Sequence, residues 1–280
     1  MSGLVERIKG LRAVRTALAV MGTAGAAGLP LLAMALAFTT MFAILPGVLL
    51  LSGVLGWAIS DPLTRADLLA RLVSYIPPLA GLFEDSLESL VRERGALSVI
   101  GLLGLIWGAS NFYAALDEVM RRLFPGGAVR GFVSRRVRGV VAVMVLVALG
   151  VGTILLSGLW AFVQTTLADL GPLVSLAVPL LSIVLITVVV LIVYRYVPTA
   201  PPSWRAAIPP AIAAGTGIGL LTNLFTVLAP LLVGGLAAFG VIATVFAALV
   251  WLNFCFQLLL YGAAWARYRR DSMRLGSRPG

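Results

Sequence analysis

The chain has 280 residues, of which 60% are apolar and only 11% charged, with 21 Lys and Arg against 11 Asp and Glu. Soluble domains carry about a quarter charged residues, and a water-soluble body this apolar would expose large greasy patches. The composition excludes an ordinary soluble globule and suits a chain whose solvent is lipid. A spanning helix needs roughly 20 apolar residues to cross about 30 Å of hydrocarbon.

Residues 1–26 form a basic N-terminus with Arg7, Lys9, Arg12 and Arg15. Leu4, Ile8 and Leu11 fall on one helical face with the basic residues on the others, which suits a helix lying in the inner interface, or else a partly ordered basic tail. The first apolar run, 28–59, is longer than one straight helix requires. Pro46-Gly47 inside it predicts a kink, because proline removes a backbone donor and clashes with the preceding turn. The run is also far too long for the h-region of a secretory signal peptide.

Residues 60–95 make the long outer connection. Asp61-Pro62 reads as an N-cap followed by proline at the first helical position, Leu68, Leu72 and Ile76 recur at helical spacing, and Pro77-Pro78 end that helix. Phe83, Leu87, Leu90 and Val91 share a face of a second helix. The expectation is a pair of short amphipathic helices over the outer mouth of the bundle, as a packed connector or a lid. Glu84, Asp85, Glu88 and Glu93 read as its solvated face rather than a metal site.

The second run, 96–115, carries Gly104 and Gly108, and the third, 139–165, follows a basic connection holding Arg121, Arg122, Arg130, Arg135, Arg136 and Arg138. The fourth is 174–194. The fifth, 206–233, carries Ala211, Gly215 and Gly219, and the sixth is 239–265, followed by a basic tail, 266–280. Small residues four apart let helices approach closely in lipid, so these glycines are read as helix-packing positions. The runs are too long and too continuously apolar for β-barrel strands. The expected fold is all-α: one membrane domain, 1–280, with six transmembrane helices.

Arg and Lys sort by side. The N-terminus, the connection after the second run, Arg195 and Arg205, and the tail hold most of them. The other side keeps Arg65, Arg71, Arg92 and Arg94 beside a majority of the acids. Lys/Arg bias sets orientation, so both termini are expected in the cytoplasm. Trp204, Tyr194, Tyr196, Tyr261, Trp265 and Tyr268 fall near the same inner boundary, as an aromatic belt would.

Catalytic chemistry is thin. The chain has no histidine, which removes the commonest general base and metal ligand. The lone Cys255 permits no intrachain disulfide and reads as a packing residue. Gly215-Thr216-Gly217-Ile218-Gly219 lies inside an apolar helix with no preceding strand and no following Lys, so it is not read as a phosphate loop. No ionisable residue sits at mid-membrane; Asp117 and Glu118, at the inner end of the second run, are expected to pair with Arg121 and Arg122. The span interior is polar but neutral, with Thr39, Thr40, Ser110, Asn111, Ser157, Gln164, Thr187, Thr222, Asn223, Asn253 and Gln257. Polar groups in hydrocarbon need partners, and bonds between helices are the expected ones. Asn253 and Gln257, one turn apart, share a face of the sixth span, where they could instead line a polar cavity.

Several stretches resemble the YihY/BrkB family. They are Ala35-Leu36-Ala37-Phe38-Thr39-Thr40-Met41-Phe42-Ala43-Ile44-Leu45-Pro46, Trp107-Gly108-Ala109-Ser110 with Ala114-Ala115-Leu116, Tyr194-Arg195-Tyr196-Val197-Pro198 with Ser203-Trp204-Arg205, and Phe239-Gly240-Val241 through Trp251 to Gly262-Ala263. The resemblance runs across nearly the whole chain in motif order. It implies a six-span bacterial inner-membrane protein without a settled activity, some of whose relatives have been suggested to move lipids or lipid-linked molecules. The family's older label, ribonuclease BN, is not supported by these residues. Two positions depart from the family pattern: Ala264 stands where Glu often follows the last Gly-Ala, and Pro210-Ala211 where Gly-Ala is usual.

The function expected from these readings is binding or translocation of a lipid or other amphipathic molecule. Asn223, Asn253 and Gln257 are the candidate substrate contacts, and Arg135, Arg136 and Arg138 the candidate contacts for anionic lipid or a partner. The alternatives are a non-transporting scaffold or envelope-assembly factor and, more remotely, a membrane-associated ribonuclease. No cofactor or metal is expected, and no catalytic residue. Membrane lipids are the expected partners, anionic headgroups on the cytoplasmic side included; nucleic acid is not, and a homo-oligomer is left open.

Overall fold

A computed structural model describes residues 12–58, 61, 63, 96–126, 131, 133, 137, 171–235 and 240–276. Within them the regular structure is α-helical. The long elements are α1 (Arg12–Ala26), α2 (Leu29–Ala58), α3 (Ala96–Leu123), α4 (Gly171–Tyr196), α5 (Trp204–Gly235) and α6 (Gly240–Gly276). The first, second, fourth, fifth and sixth apolar runs correspond to α2 to α6. The third run, 139–165, Arg135, Arg136 and Arg138, and nearly all of the outer connection 60–95 lie outside the described residues. At the start of that connection the Leu63 amide donates to Asp61 Oδ1 at 3.3 Å, the bond of an N-capping aspartate.

Residues 12–26, read as part of the basic N-terminus, form a helix that lies against α6. Helix α2 continues across Pro46, and a 64° bend separates Thr16–Ala26 from Leu29–Ile44. Gly28 makes that bend with φ of 64°, in the left-handed region that glycine enters without steric cost. Its amide donates to Gly25 O at 3.1 Å and its carbonyl accepts from Leu32 N at 3.2 Å, so one residue closes α1 and opens α2.

Packing is inverted relative to a soluble bundle. Ala33, Ala37, Ala211, Ala214, Ala248, Ala263, Ala264 and Ala266 are buried. Leu31, Met34, Phe38 and Phe42 on α2, Leu180, Val184, Val188 and Ile192 on α4, and Ile242, Phe246, Val250 and Phe254 on α6 face outward. Recurrence every three or four residues puts each set on one helical face. Small residues inside allow backbones to approach, and large apolar ones outside match hydrocarbon.

The glycines show how close the approach is. A Cβ placed on Gly108 would lie 2.7 Å from Phe42 O and 2.9 Å from Ala43 Cα. One on Gly104 would meet Pro46 Cβ at 2.9 Å, one on Gly215 Thr187 Cα at 2.6 Å, and one on Gly219 Ile183 Cγ1 at 2.7 Å. Gly104 and Gly108 therefore bring α3 onto α2, while Gly215 and Gly219 bring α5 onto α4.

The larger core lies at one end of the bundle, where α1 turns into α2 and where α3, α4 and α6 finish and α5 begins. Leu29, Leu36, Met120, Leu123, Phe124, Val190, Tyr194, Ala207, Leu260 and Ala263 meet there. A smaller cluster joins α2, α5 and α6 through Ala37, Met41, Phe225, Ala248, Trp251 and Leu252.

Candidate functional site

Hydroxyl and amide groups in the spans were expected to bond between helices, and most do not. Thr39 and Thr40 donate to Leu36 O at 3.0 and 2.7 Å, Ser110 to Ile106 O at 2.5 Å, and Thr222 to Ile218 O at 2.9 Å. Asn223 donates from Nδ2 to Gly219 O at 2.8 Å and is exposed. Each bond reaches three or four residues back within the same helix, where a short side chain finds a carbonyl without help from a neighbour.

Asn253 and Gln257 are half-buried on α6. No hydrogen bond joins either to Asn223 among the described residues. Among the described residues, the Oδ1 of Asn253 and the Nε1 of Trp251 are buried without a hydrogen-bond partner, as are Thr199 Oγ1 and Arg269 Nε. Buried polar atoms are nearly always satisfied, and two of these four lie within three residues of each other on α6. They stand at positions 251 and 253, on different faces.

The second concentration of unusual residues is at the end where the larger core lies. The carbonyl of Leu259 accepts a hydrogen bond from the fully buried Tyr194 at 2.6 Å. Gly262 leaves the space for that hydroxyl, since a Cβ there would collide with it and lie 2.9 Å from Ala214 Cβ. Tyr194 is thus an internal strut and not part of an aromatic belt, whereas Tyr196 and Trp204 are 62% and 47% exposed at the same end.

Helix α6 continues 11 residues past the apolar run that was expected to end at residue 265, as far as Gly276. Its extension carries Arg267, Arg269, Arg270 and Arg274. Arg270 is only 6% exposed; Nη1 donates to Ala200 O at 2.9 Å, Nε donates to Asp271 Oδ1 at 2.9 Å, and the guanidinium lies 5.3 Å from the Phe124 ring centre. Arg269 Nη2 donates to Arg205 O at 3.2 Å. These bonds tie α6 to the connection between α4 and α5 and to the first turn of α5. A cleft of about 390 Å³ opens beside them, lined by Arg195 of α4, Pro201, Pro202 and Ser203 of the connection, and Arg270 and Arg274 of α6. Arg195 stacks 5.5 Å from the Trp204 ring centre. On α3, Glu118 pairs with Arg121 and, at 3.1 Å, with Arg122, as expected; Asp117 is 2% exposed.

Sequence reasoning placed Arg195, Arg270 and Arg274 among topology-setting charges and missed the cleft. A basic residue that follows an apolar run reads as a boundary marker, and the burial of Arg270 depends on Phe124 and Ala200, far away in sequence. No group of three or more acidic, Cys or His residues able to hold a metal occurs among the described residues.

Helices with small residues inside and large apolar ones outside define a helical membrane protein. By length and composition, Trp204–Leu228 and Ile242–Arg274 can each cross a membrane, and the bent pair Thr16–Ala26 and Leu29–Ile44 can make a third crossing. The family model described as Virulence factor BrkB matches residues 20–279, and the chain belongs to that family. Two UPF0761 membrane proteins, from Stenotrophomonas maltophilia strains K279a and R551-3, are each 25% identical over 260 residues. Each alignment takes in 87% of this chain and 59% of the relative, so the chain spans about three-fifths of the length of these curated relatives. No solved structure matches. Ala264, which stands where the family pattern often has Glu, is fully buried in the core, so an acid there would be enclosed by protein.

Proposed function

We propose that this protein binds a lipid or other amphipathic molecule in the bacterial inner membrane and carries it between leaflets. Six spans cross the membrane in this reading, 139–165 being the third, with both termini in the cytoplasm as the Arg and Lys distribution favours. The carrying observation is the orphaned Asn253 Oδ1, buried in α6 with no hydrogen-bond partner among the described residues. A polar atom left unsatisfied in an apolar bundle favours a site that a substrate's polar group completes. Gln257, one turn on, would extend that surface. The absence of a nucleotide motif from the sequence favours downhill movement or a partner that supplies energy.

The test reconstitutes the purified protein into liposomes with fluorescent phospholipid in both leaflets and quenches the outer leaflet chemically. Loss of signal beyond the outer-leaflet share, reduced by Asn253→Leu or Gln257→Leu, is the expected result. Quenching that stops at the outer leaflet, in vesicles shown to contain folded protein, overturns transport of those lipids.

One observation favours a second reading, a non-transporting scaffold. The hydroxyls of Thr39, Thr40, Ser110 and Thr222 are satisfied inside their own helices, which leaves little polar lining for a path. In that reading Arg135, Arg136 and Arg138 hold anionic lipid or a partner, and reversing their charge abolishes function while Asn223, Asn253 and Gln257 tolerate apolar replacement.

A further inference from the structure

We infer that the cleft between the α4–α5 connection and the end of α6 is a binding site for a phosphate group, and that a lipid headgroup supplies it. The inference shares the membrane placement proposed above but holds whether or not lipid crosses the bundle.

Four observations converge on it. First, the seven lining residues, Met273 among them, include three arginines and no acid, with Asp271 outside the lining and paired to Arg270. Second, Arg195 is half-buried, its Cζ lies 5.5 Å from the Trp204 ring centre, and it has no hydrogen-bond or ion-pair partner among the described residues. A guanidinium with unused donors is the group best matched to phosphate, which it engages through two parallel N–H···O bonds. Third, α5 starts at the cleft. The amides of Ala206 and Ala207 are both taken by Ser203 O at 3.0 Å, while those of Trp204 and Arg205 precede any intrahelical acceptor. The positive end of a 32-residue helix therefore adds to the arginine field. Fourth, the cleft is held open. Arg270 clamps Ala200 O, and Arg269 clamps Arg205 O, so the connection cannot collapse onto α6. Arg270 has two of its nitrogens committed and acts as a positioning residue; Arg195 is placed to donate.

The depth of the cleft selects the source of the phosphate. Tyr196 and Trp204 are exposed beside it, and amphipathic aromatic rings settle at the headgroup level. A phosphate at that depth is the one carried by a phospholipid, with its acyl chains free to lie along the outward-facing Val188 and Ile192 of α4.

The full-length protein in dodecyl maltoside is titrated with dihexanoyl-phosphatidic acid, and separately with inorganic phosphate and dihexanoyl-glycerol, and bound ligand is counted by native mass spectrometry. The expected result is saturable binding of the phosphatidic acid, none of the glycerolipid, and affinity weakened roughly tenfold in Arg195→Gln, as for loss of one charge-assisted contact. Arg122→Gln, whose side chain is exposed and paired to Glu118 away from the cleft, retains wild-type affinity. Arg274→Gln, at an exposed position on α6, gives the same weakening and serves if Arg195→Gln does not fold. Inorganic phosphate that binds as tightly as the lipid, with the same dependence on Arg195, keeps the phosphate site but overturns the lipid source. Equal affinities in wild type and both cleft variants, or equal weakening by Arg122→Gln, overturn the site.

Discussion

The interface between α2 and α3 contains two glycines whose surroundings differ in a way that fixes opposite outcomes for the same substitution. At Gly108 an added Cβ would face backbone, with Phe42 O at 2.7 Å and Ala43 Cα at 2.9 Å. At Gly47 the nearest atom would be the Leu105 Cδ1 at 3.6 Å, an ordinary contact at the end of a flexible side chain. Backbone cannot rotate away, so Gly108→Ala must push the helices apart by about 0.7 Å to restore ordinary spacing. A retreat of that size forfeits about a quarter to a half of each dispersion contact it opens. Overpacking of this kind costs about 1–3 kcal/mol, and the helix preference of Ala over Gly returns about 1 kcal/mol. The net effect is a loss of about 1 kcal/mol for Gly108→Ala. Gly47→Ala keeps the propensity term without the clash and gains up to about 1 kcal/mol, which separates the two variants by about 2 kcal/mol. Unfolding in mixed dodecyl maltoside and dodecyl sulfate micelles, followed by far-UV circular dichroism, measures both. A Gly108→Ala protein at least as stable as Gly47→Ala would refute the close-approach account of this interface.

Three further substitutions probe the end of the bundle that holds the larger core. Gly28→Ala places a Cβ in the left-handed region at a cost of about 1–2 kcal/mol, released by undocking α1 from α6; faster amide exchange along Arg12–Ala26, with α5 unchanged, is the expected readout. Tyr194→Phe loses one interhelical hydrogen bond, worth on average about 0.6 kcal/mol in a membrane bundle. Gly262→Ala costs more, because its Cβ meets the Tyr194 hydroxyl. The double variant is therefore more stable than the two single losses predict, and strict additivity in the same unfolding assay would show that the hydroxyl does not fill the space Gly262 leaves.

How much of this was legible in the sequence depended on whether a feature is local. Long apolar runs report the helices because burial in lipid acts on every residue of a span. Gly104, Gly108, Gly215 and Gly219 were readable because spacing alone puts them on one face, and Glu118 could be paired with Arg121 and Arg122 because their separation is one helical turn. Three features were not readable, each for a stated physical reason. A hydroxyl in a span needs a partner, but sequence does not reveal that its own helix supplies one, as for Thr40 and Ser110. The bend at Gly28 lies 18 positions before Pro46, the residue that marks a kink in the sequence, and nothing in the local pattern shows that a left-handed glycine closes one helix there and opens the next. The continuation of α6 past the apolar run was hidden because charged residues after a span look like a tail. In the folded chain the i,i+4 pair Arg267–Asp271, at 3.6 Å, spans part of that extension, and contacts to Ala200 and Arg205 anchor it.

The polar inventory of the spans therefore has to be divided before it is used to locate function. Groups that bond back to their own helix are satisfied without a ligand, so their presence in a span does not mark a site. Removing Thr39, Thr40, Ser110, Thr222 and Asn223 on that criterion leaves Asn111, Thr187, Asn253 and Gln257 among the described residues, with Asn253 Oδ1 and Trp251 Nε1 buried and unpartnered there, together with a cleft lined by arginines. The unpartnered pair and the cleft belong in whole or in part to α6, which also packs against α1, α2, α3, α4 and α5. The two sets lie about 5–6 turns apart along one rod at 5.4 Å per turn, so they are separate features rather than one enclosed pocket.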